Sequence, residues 1–447
     1  MSGSKSGKLS RRAFLAGFGA SVAGLALAAC VAPPPQPAPG AEEGARPETA
    51  AGAVKLRLMT WSGGEELELH KKAFKAFTDA NAGIEVEVTA VPFGEYYTKL
   101  QTEAAGGAMA DLVNIGEAYT ARWAASKVII NMNPYIEADP EFHVEDFFPN
   151  VLENFKWEGG VYVLPKDYVT WGLFYNKDLF DAAGIPYPDD TWEWNPTDGG
   201  QYTEIAKQLT KKEGDRTVQY GTMSVNGWGY YFPRIWDNGG RYLNDERTKC
   251  LMAEPEAVAA IQWMADLINK YGVAPTAEAE QGGLTFASGK IAMMPQGSYM
   301  VPGLLNAQFN WAVAPHPIGP KGRHSIMYSS GYGIGSQSKY ADAAWKLAVF
   351  MTREGSEILA VTGFSVPSRQ SVAKKPDLYL NDQTIPHNVQ VFLDASTYMG
   401  LHEITPTWTQ EEQIISAELT LVMAGEKTAQ EALTAVVPKI EELLQAG

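Results

Sequence analysis

After residue 53, segments in which apolar residues have the spacing typical of strands alternate with segments in which they have the spacing typical of helices. Three short runs predict β-strands, at residues 56–61, 84–88 and 111–115. Two longer stretches between them carry apolar side chains at helical spacing, namely Leu67, Phe74 and Phe77, and then Tyr96, Leu100 and Ala104. The order strand, helix, strand, helix, strand favours parallel pairing through right-handed crossovers, and therefore an α/β fold.

Two loops of this predicted sheet are candidate binding segments. Ligands of open parallel sheets lie beyond the carboxyl ends of the strands, and residues 61–65 and 116–123 follow two such ends. The first set of candidate ligand-binding residues from these loops is Trp61, Glu65, Glu117 and Tyr119.

The later part of the chain also mixes strands with helices. Residues 161–175 contain two strand-like runs separated by Pro165, Lys166 and Asp167. Helices are predicted at residues 176–184, 202–213 and 255–271, and through most of the chain after Thr409. The pattern therefore continues as α/β, with a more helical end.

The first thirty residues have the composition of an export signal. Four basic residues precede an uncharged segment from Ala13 to Ala29, and Arg11-Arg12 before Phe14 indicates twin-arginine export. The sequence Leu-Ala-Ala-Cys resembles a bacterial lipobox, in which Cys30 is lipidated and becomes the new N-terminus. The apolar segment is shorter than the about twenty residues of a bilayer span. We therefore expect residues 1–29 to be a twin-arginine-type lipoprotein signal peptide.

Residues 30–53 are predicted to be a tether behind the lipidated cysteine. Six prolines occur there among Ala, Gly and Glu, with almost no large apolar side chain to bury. Proline-rich linkers extend by about 3 Å per residue. The tether would hold the folded part some distance from the outer face of the cytoplasmic membrane.

The charge of the chain excludes some classes of partner. Removing residues 1–29, with four basic and no acidic side chains, changes the formal net charge from −16 to −20. Nucleic acids and anionic lipid surfaces would repel such a protein, so the lipid at Cys30 has to provide the attachment. Cys250 is then the remaining cysteine, which excludes an intrachain disulfide and predicts a packing role.

Five segments together carry a family resemblance, at residues 173–185, 286–299, 315–320, 343–346 and 363–367. The first begins with LFYNKDLF and the second with FASGKIAM. In this order they resemble the family-1 extracellular solute-binding proteins of ABC importers, in the carbohydrate group that includes maltose-binding proteins. The resemblance covers nearly the whole chain after the tether.

This resemblance implies a two-lobe periplasmic-binding-protein-like α/β fold whose lobes close on a ligand without covalent chemistry. The implied crossing segments lie near residues 166–173 and 326–332. Lobe 1 would comprise residues 54–168 plus about 328–385, and lobe 2 residues 169–327 plus about 386–447. The expected protein is a monomer that uses no cofactor or metal and delivers its ligand to permease subunits.

The resemblance implies a sugar or oligosaccharide ligand, and 12 Trp and 20 Tyr suit such a ligand. A flat aromatic ring packs on the C–H face of a sugar, while carboxylates and amides hold its hydroxyl groups. The second set of candidate ligand-binding residues is Asp167, Trp171, Trp228, Tyr230, Trp236, Asn238, Gly297, Tyr299 and Trp408. Each aromatic side chain could equally belong to the core, and the residues predicted to pack there are Trp192, Trp194, Trp263 and Trp345.

Two alternatives remain open at the level of sequence. An acidic, Trp-rich exported lipoprotein could be a glycoside hydrolase, which needs two carboxylates about 5 to 9 Å apart, although no motif marks such a pair. The same fold could instead bind a polyamine or another cation in an aromatic, acidic site. Spacing argues against other chemistry: the 6 histidines show no metal-ligand pattern, and neither a phosphate loop nor a nucleophile elbow occurs.

Overall fold

The computed structural model describes residues 54–360, 364–376, 378–379, 388, 390–400 and 402–446 of the chain. The predicted signal peptide and tether, with Cys30, lie outside these residues. Within the described residues, no helix combines the length and apolar character needed to cross a bilayer.

Twelve strands are found in the described part of the chain: β1 Val54–Thr60, β2 Ile84–Ala90, β3 Leu112–Gly116, β4 Lys156–Trp157, β5 Gly160–Val161, β6 Val163–Asn176, β7 Lys211–Glu213, β8 Arg216–Thr222, β9 Ile291–Gly297, β10 Trp311–Ala314, β11 Met327–Ile334 and β12 Val366–Pro367.

The α-helices of the same residues are α1 Gly64–Ala80, α2 Phe93–Ala105, α3 Glu117–Ala125, α4 Asn133–Ala138, α5 Pro149–Glu153, α6 Lys177–Ala183, α7 Gly200–Leu209, α8 Trp228–Asp237, α9 Pro255–Asn269, α10 Ala277–Gln281, α11 Val301–Leu304, α12 Ala341–Thr352, α13 Glu354–Ala360, α14 Gln370–Ala373, α15 Gln390–Asp394, α16 Trp408–Met423 and α17 Ala429–Ala446. Short 3-10 helices occur at Val144–Asp146, Ser298–Met300 and Ala395–Tyr398.

The first three strands form the parallel unit that the sequence predicts. β1 pairs in parallel with β2, from Val54 opposite Ile84 to Thr60 opposite Ala90, and also pairs in parallel with β3. The helices α1 and α2 provide the crossovers between them. The α/β class is therefore confirmed, and α1 and α3 begin at the carboxyl ends of β1 and β3.

One long strand, β6, takes part in both halves of a sheet ordered β2-β1-β3-β11-β6-β9-β8-β7. Residues 163–170 of β6 pair antiparallel with β11, whereas residues 171–176 pair with β9 and β10. The predicted interruption at Pro165 is wrong, because a change of register accommodates the proline. Ser330 of β11 lies opposite Asp167 and Gly331 lies opposite Pro165, so Lys166 is the extra, bulged residue.

The predicted helix 202–213 ends early. α7 stops at Leu209, and Lys211–Glu213 forms β7, which pairs with β8. Gly214 has a φ of 60° in the two-residue turn between these strands. A Gly-Asp turn of this kind favours a hairpin over a continued helix, which is the signal that periodicity alone does not show.

Aromatic and aliphatic side chains fill the core on both sides of β6. Trp194 and Trp263 stack with their ring centroids 4.2 Å apart, and Trp192 and Trp345 are buried as well. Cys250 is also buried, as expected for a packing residue. These packing predictions are confirmed.

Candidate functional site

The candidate site lies at the carboxyl ends of β1 and β3, beside the part of β6 that carries the bulge. Gly116 has an extended backbone and precedes the first residue of α3, Glu117. The Glu117 side chain is 5% exposed, and its Oε2 accepts a hydrogen bond of 2.8 Å from the backbone N–H of Ser329 in β11. A carboxyl group therefore connects α3 to the strand that pairs with β6.

Burial determines the protonation state of Glu117. Removal from water raises its pKa to about 8, the bond from Ser329 acts in the opposite direction, and the nearby charge of Asp167 adds to the increase. At neutral pH this side chain is mainly a neutral acid, which can donate as well as accept a hydrogen bond.

Lys166 lies at the centre of a second, charged group. Its side chain is 3% exposed, and Nζ lies 3.2 Å from Oε1 of Glu66 and 3.4 Å from Oδ2 of Asp167. Although burial disfavours the ammonium, the two carboxylates raise the pKa of Lys166. Burial also favours neutral Glu66, yet the charge of Lys166 holds the pKa of Glu66 below its usual value. This ion pair stays charged at neutral pH.

Hydroxyl groups complete the environment of the two carboxylates. Ser365 donates a 2.8 Å hydrogen bond to Oδ2 of Asp167, and Ser330 lies 3.4 Å from Oδ1. Ser62 donates to Oε1 of Glu66 at 3.0 Å. Burial nevertheless raises the pKa of Asp167 despite the charge of Lys166. Both carboxylates are held in defined orientations by short side chains.

Aromatic rings pack around Trp171, four residues after Asp167 on β6. The Trp171 ring lies 4.5 Å from Tyr230, 5.8 Å from Tyr328 and 6.5 Å from Tyr299, always with its plane near perpendicular. Trp228, the first residue of α8, contacts Tyr328 at 4.4 Å. Residues four apart on a strand point to the same face, so Asp167 and this aromatic group share one side of β6.

Two glycines allow the close packing of these rings. A Cβ atom on Gly229 would lie 2.2 Å from Oη of Tyr328 and 2.6 Å from the Trp171 ring. A Cβ atom on Gly297 would lie 2.3 Å from the ring of Tyr299 and 3.0 Å from Nε1 of Trp171. Any larger residue at either position would displace the aromatic group.

A second aromatic group lies at the ends of β1 and β3. Tyr97 and Tyr119 stack with centroids 3.5 Å apart, and Trp61 lies 6.0 Å from Tyr97. The Tyr97 hydroxyl accepts a hydrogen bond of 2.9 Å from the N–H of Gly116, directly before α3. Phe93 extends this group and is 58% exposed. This second aromatic group therefore adjoins the N-terminus of α3.

Of the other predicted residues, Trp408 borders the Trp171 aromatic group through Trp228, and the rest lie elsewhere. Trp408 is buried beside His402, with ring centroids 4.1 Å apart, and also faces Trp228. Trp236 stacks on its helix neighbour Phe232 towards the far end of α8 from Trp228. Asn238 ends that helix and donates a 2.7 Å hydrogen bond to the carbonyl of Glu256. Glu65 belongs to the first turn of α1, and its side chain lies outside the described part.

The structure thus brings together seven of the predicted residues, Glu117, Asp167, Trp171, Trp228, Tyr230, Gly297 and Tyr299, with Trp61 and Tyr119 adjoining them. Sequence reasoning missed Glu66, Lys166, Tyr97 and Tyr328. Glu66 directly follows a predicted residue and Tyr328 lies in a predicted crossing segment, so both could have been predicted from the sequence. No pattern in the sequence marks the bulge that turns Lys166 inward.

The chemistry that this arrangement offers is hydrogen bonding and ring packing. Carboxylates accept, the neutral acid of Glu117 donates, and the indole N–H of Trp171 is buried without a partner among the described residues. Within the same residues no group of three or more His, Cys, Asp or Glu side chains could hold a metal ion. The site is suited to a ligand with several hydroxyl groups and an apolar face.

Comparisons with known proteins agree in family and fold. The family described as bacterial extracellular solute-binding protein matches residues 63–358. A putative binding protein of Brucella abortus is 26% identical over 415 residues, covering 88% of this chain and 94% of the relative. A mannitol-binding protein of Pseudomonas aeruginosa is 25% identical over 351 residues, covering 74% and 75%.

Among solved structures, an ABC substrate-binding protein of Listeria monocytogenes in complex with cycloalternan superposes with a TM-score of 0.78. It is 26% identical, and the match covers 88% of this chain and 99% of the other. The two-lobe binding-protein fold implied by the sequence resemblance is therefore confirmed. With a family match across most of its length and a shared fold, the chain belongs to the bacterial extracellular solute-binding proteins.

Proposed function

We propose that this exported protein binds a sugar, an oligosaccharide or a related polyol and delivers it to the permease subunits of an ABC importer. The observation that supports this most is the meeting of Glu117, Asp167 and the Trp171 aromatic group beside the central strand β6. Of the related proteins, one binds mannitol and another was solved in complex with cycloalternan, and both of these ligands are polyhydroxylated.

In the proposed complex, rings and polar groups have separate roles. Trp171, Trp228 and Tyr299 would contact the C–H face of the ligand, while Asp167 and Glu117 would bind its hydroxyl groups. Trp61, Glu65 and Tyr119 would extend the contact surface from the first two loops. Trp236, Asn238, Gly297 and Trp408 remain predicted contributors, Gly297 through its close packing on Trp171 and Tyr299.

The proposed mechanism is closure of two lobes around the ligand. Lobe 1 would comprise residues 54–168 plus about 328–385, and lobe 2 residues 169–327 plus about 386–447. The change of strand partners within β6, between Thr170 and Trp171, supports a boundary there. A ligand held by both lobes stabilises the closed state through its higher affinity for that state, and the permease would recognise the closed shape.

The attachment to the membrane is proposed from the sequence. Cys30 would be lipidated after twin-arginine export, and residues 31–53 would form the tether. The folded part would work as a monomer, without a cofactor, and would release its ligand chemically unchanged.

A thermal-shift screen tests the function. The purified protein is melted with mono- and oligosaccharides and polyols, and in parallel with polyamines, choline-like cations and metal chelates. A ligand at one hundred times its Kd adds about 2.7 kcal/mol to the free energy of unfolding. A shift with a polyhydroxylated compound that is recovered intact supports the proposal. A shift with cations or chelates alone refutes the ligand class, and consumption of the sugar indicates a glycoside hydrolase.

A further inference from the structure

Three carboxyl groups converge on the candidate site from three elements of the fold. Glu66 comes from α1, Asp167 from β6 and Glu117 from α3, and each interacts electrostatically with another of them or with Lys166. Aromatic rings lie next to them, and uncompensated acidic groups beside aromatic faces form a common site for organic cations. On composition alone, this site would bind a polyamine as readily as a sugar.

The position of Lys166 changes that expectation. Its ammonium lies within 3.4 Å of one oxygen from Glu66 and one from Asp167, and its side chain is 3% exposed. The bulge at the Ser330–Gly331 register shift makes Lys166 the extra residue between Pro165 and Asp167. Because the backbone holds it there, the lysine is a fixed part of the site.

The remaining groups around this lysine add no further negative charge. Glu117 is mainly neutral at pH 7 because it is buried. His70 on α1 is also neutral, since burial and the nearby Lys166 lower its pKa to about 4. Tyr332 of β11 faces the same charges and stays protonated, because burial raises its pKa. Glu66 and Asp167 share the single positive charge of Lys166.

We propose that Lys166 is a built-in counter-cation that determines the specificity of this site. It occupies the position in which a cationic ligand would pair with Glu66 and Asp167, so the site binds neutral polyhydroxylated molecules and rejects polyamines and choline-like cations. This inference rests on the proposed function, because it explains why an acidic, aromatic site takes a neutral ligand.

Removing the ammonium is expected to reverse the preference. In Lys166→Met the two carboxylates lose their partner while an unbranched side chain still fills the space. A cation from solution can then pair with them, and the carboxylates, no longer held in place, bind hydroxyl groups less well. Lys166→Arg keeps the charge and is expected to keep the exclusion of cations.

The experiment compares wild-type protein, Lys166→Met and Lys166→Arg by titration calorimetry and thermal melting, with spermidine, choline, mannitol and maltotriose as probes. Lys71→Met is the matched control, because that lysine of α1 pairs with Glu68 on the exposed surface at 2.7 Å. We expect Lys166→Met alone to gain stabilisation by spermidine or choline and to lose at least tenfold in affinity for any sugar or polyol bound by the wild type.

The outcomes separate this inference from the proposed function. Binding of spermidine or choline by the wild type overturns it, as does a folded Lys166→Met protein that binds neither cation. If no sugar or polyol binds the wild type, the proposed function fails, whereas a gain of cation binding in Lys166→Met still supports the role of the lysine. If Lys166→Met does not fold, the double variant Lys166→Met with Glu66→Gln takes its place, because it removes both members of the ion pair. Spermidine or choline is then expected to bind at Asp167.

Discussion

Glu117→Gln tests the electrostatics of the candidate site with a change of one polar atom. Glutamine has the same shape as the neutral acid, can accept the hydrogen bond from Ser329, and offers an N–H donor in place of the acid hydroxyl. The substitution removes only the ability to ionise. Any effect that depends on pH therefore reports on the charge of this carboxyl group.

The sign and size of the effect follow from the pKa of Glu117. Burial raises this pKa from 4.5 in the unfolded chain to about 8 in the folded protein. Between these values the unfolded chain loses the proton while the folded protein keeps it, so the free energy of unfolding decreases as pH rises. The full difference corresponds to about 5 kcal/mol, since one pKa unit equals about 1.4 kcal/mol.

The assay is thermal unfolding of wild type and Glu117→Gln between pH 5 and pH 8.5. The variant should melt close to the wild type at pH 5 and roughly 5 °C above it at pH 8, given the unfolding entropy of a protein of this length. The pKa of His70 is lowered to about 4, so its contribution to the free energy of unfolding increases with pH in the lower part of this range. Wild type and variant share this contribution, and comparing them at each pH cancels it. Glu68→Gln, at an exposed position, is the control.

A constant difference in melting temperature between wild type and variant across this range would refute the reasoning. It would mean that Glu117 is solvated in solution, or that it ionises at its ordinary pKa. Its role as a hydrogen-bond donor to a ligand at neutral pH would then be lost as well.

Three further predictions concern the rings, their packing and the membrane anchor. Trp171→Phe should weaken ligand binding at least tenfold, about 1.4 kcal/mol, by calorimetry, while Trp345→Phe in the core leaves affinity unchanged; equal affinities would remove Trp171 from the site. Gly229→Ala should lower both affinity and melting temperature, because its Cβ would lie 2.6 Å from the Trp171 ring; unchanged binding and stability would contradict the packing argument. Cys30→Ala should release the protein from membranes on fractionation, and retention of this variant in the membrane would rule out the lipid anchor.

Regular periodicity made the first strands and helices predictable. The predicted run at residues 84–88 appears as β2, Ile84–Ala90, and the predicted helix at residues 255–271 appears as α9, Pro255–Asn269. Each of these elements presents one apolar face to the core, so its local pattern and its tertiary position carry the same information.

The site was only partly predictable, because its geometry depends on contacts between distant segments. Glu117 was predicted by its place after a strand, and Trp171 by its place in a crossing segment that the family resemblance implies. The inward position of Lys166 depends instead on a register shift opposite Ser330, more than 160 residues away along the chain. The packing of Tyr328 on Trp171 depends on the absence of a side chain at Gly229. Local patterns contain neither of these facts.

The continuity of β6 has a consequence for how the protein can be opened or divided. Its fourteen residues supply backbone partners to β11 on one side of the Thr170–Trp171 bond and to β9 and β10 beyond it. A fragment that ends at this bond would lose part of the backbone pairing that β6 makes at the centre of the sheet. Amide hydrogens along β6 should therefore exchange with deuterium in one slow, shared event, while those of the exposed edge strand β7 exchange early.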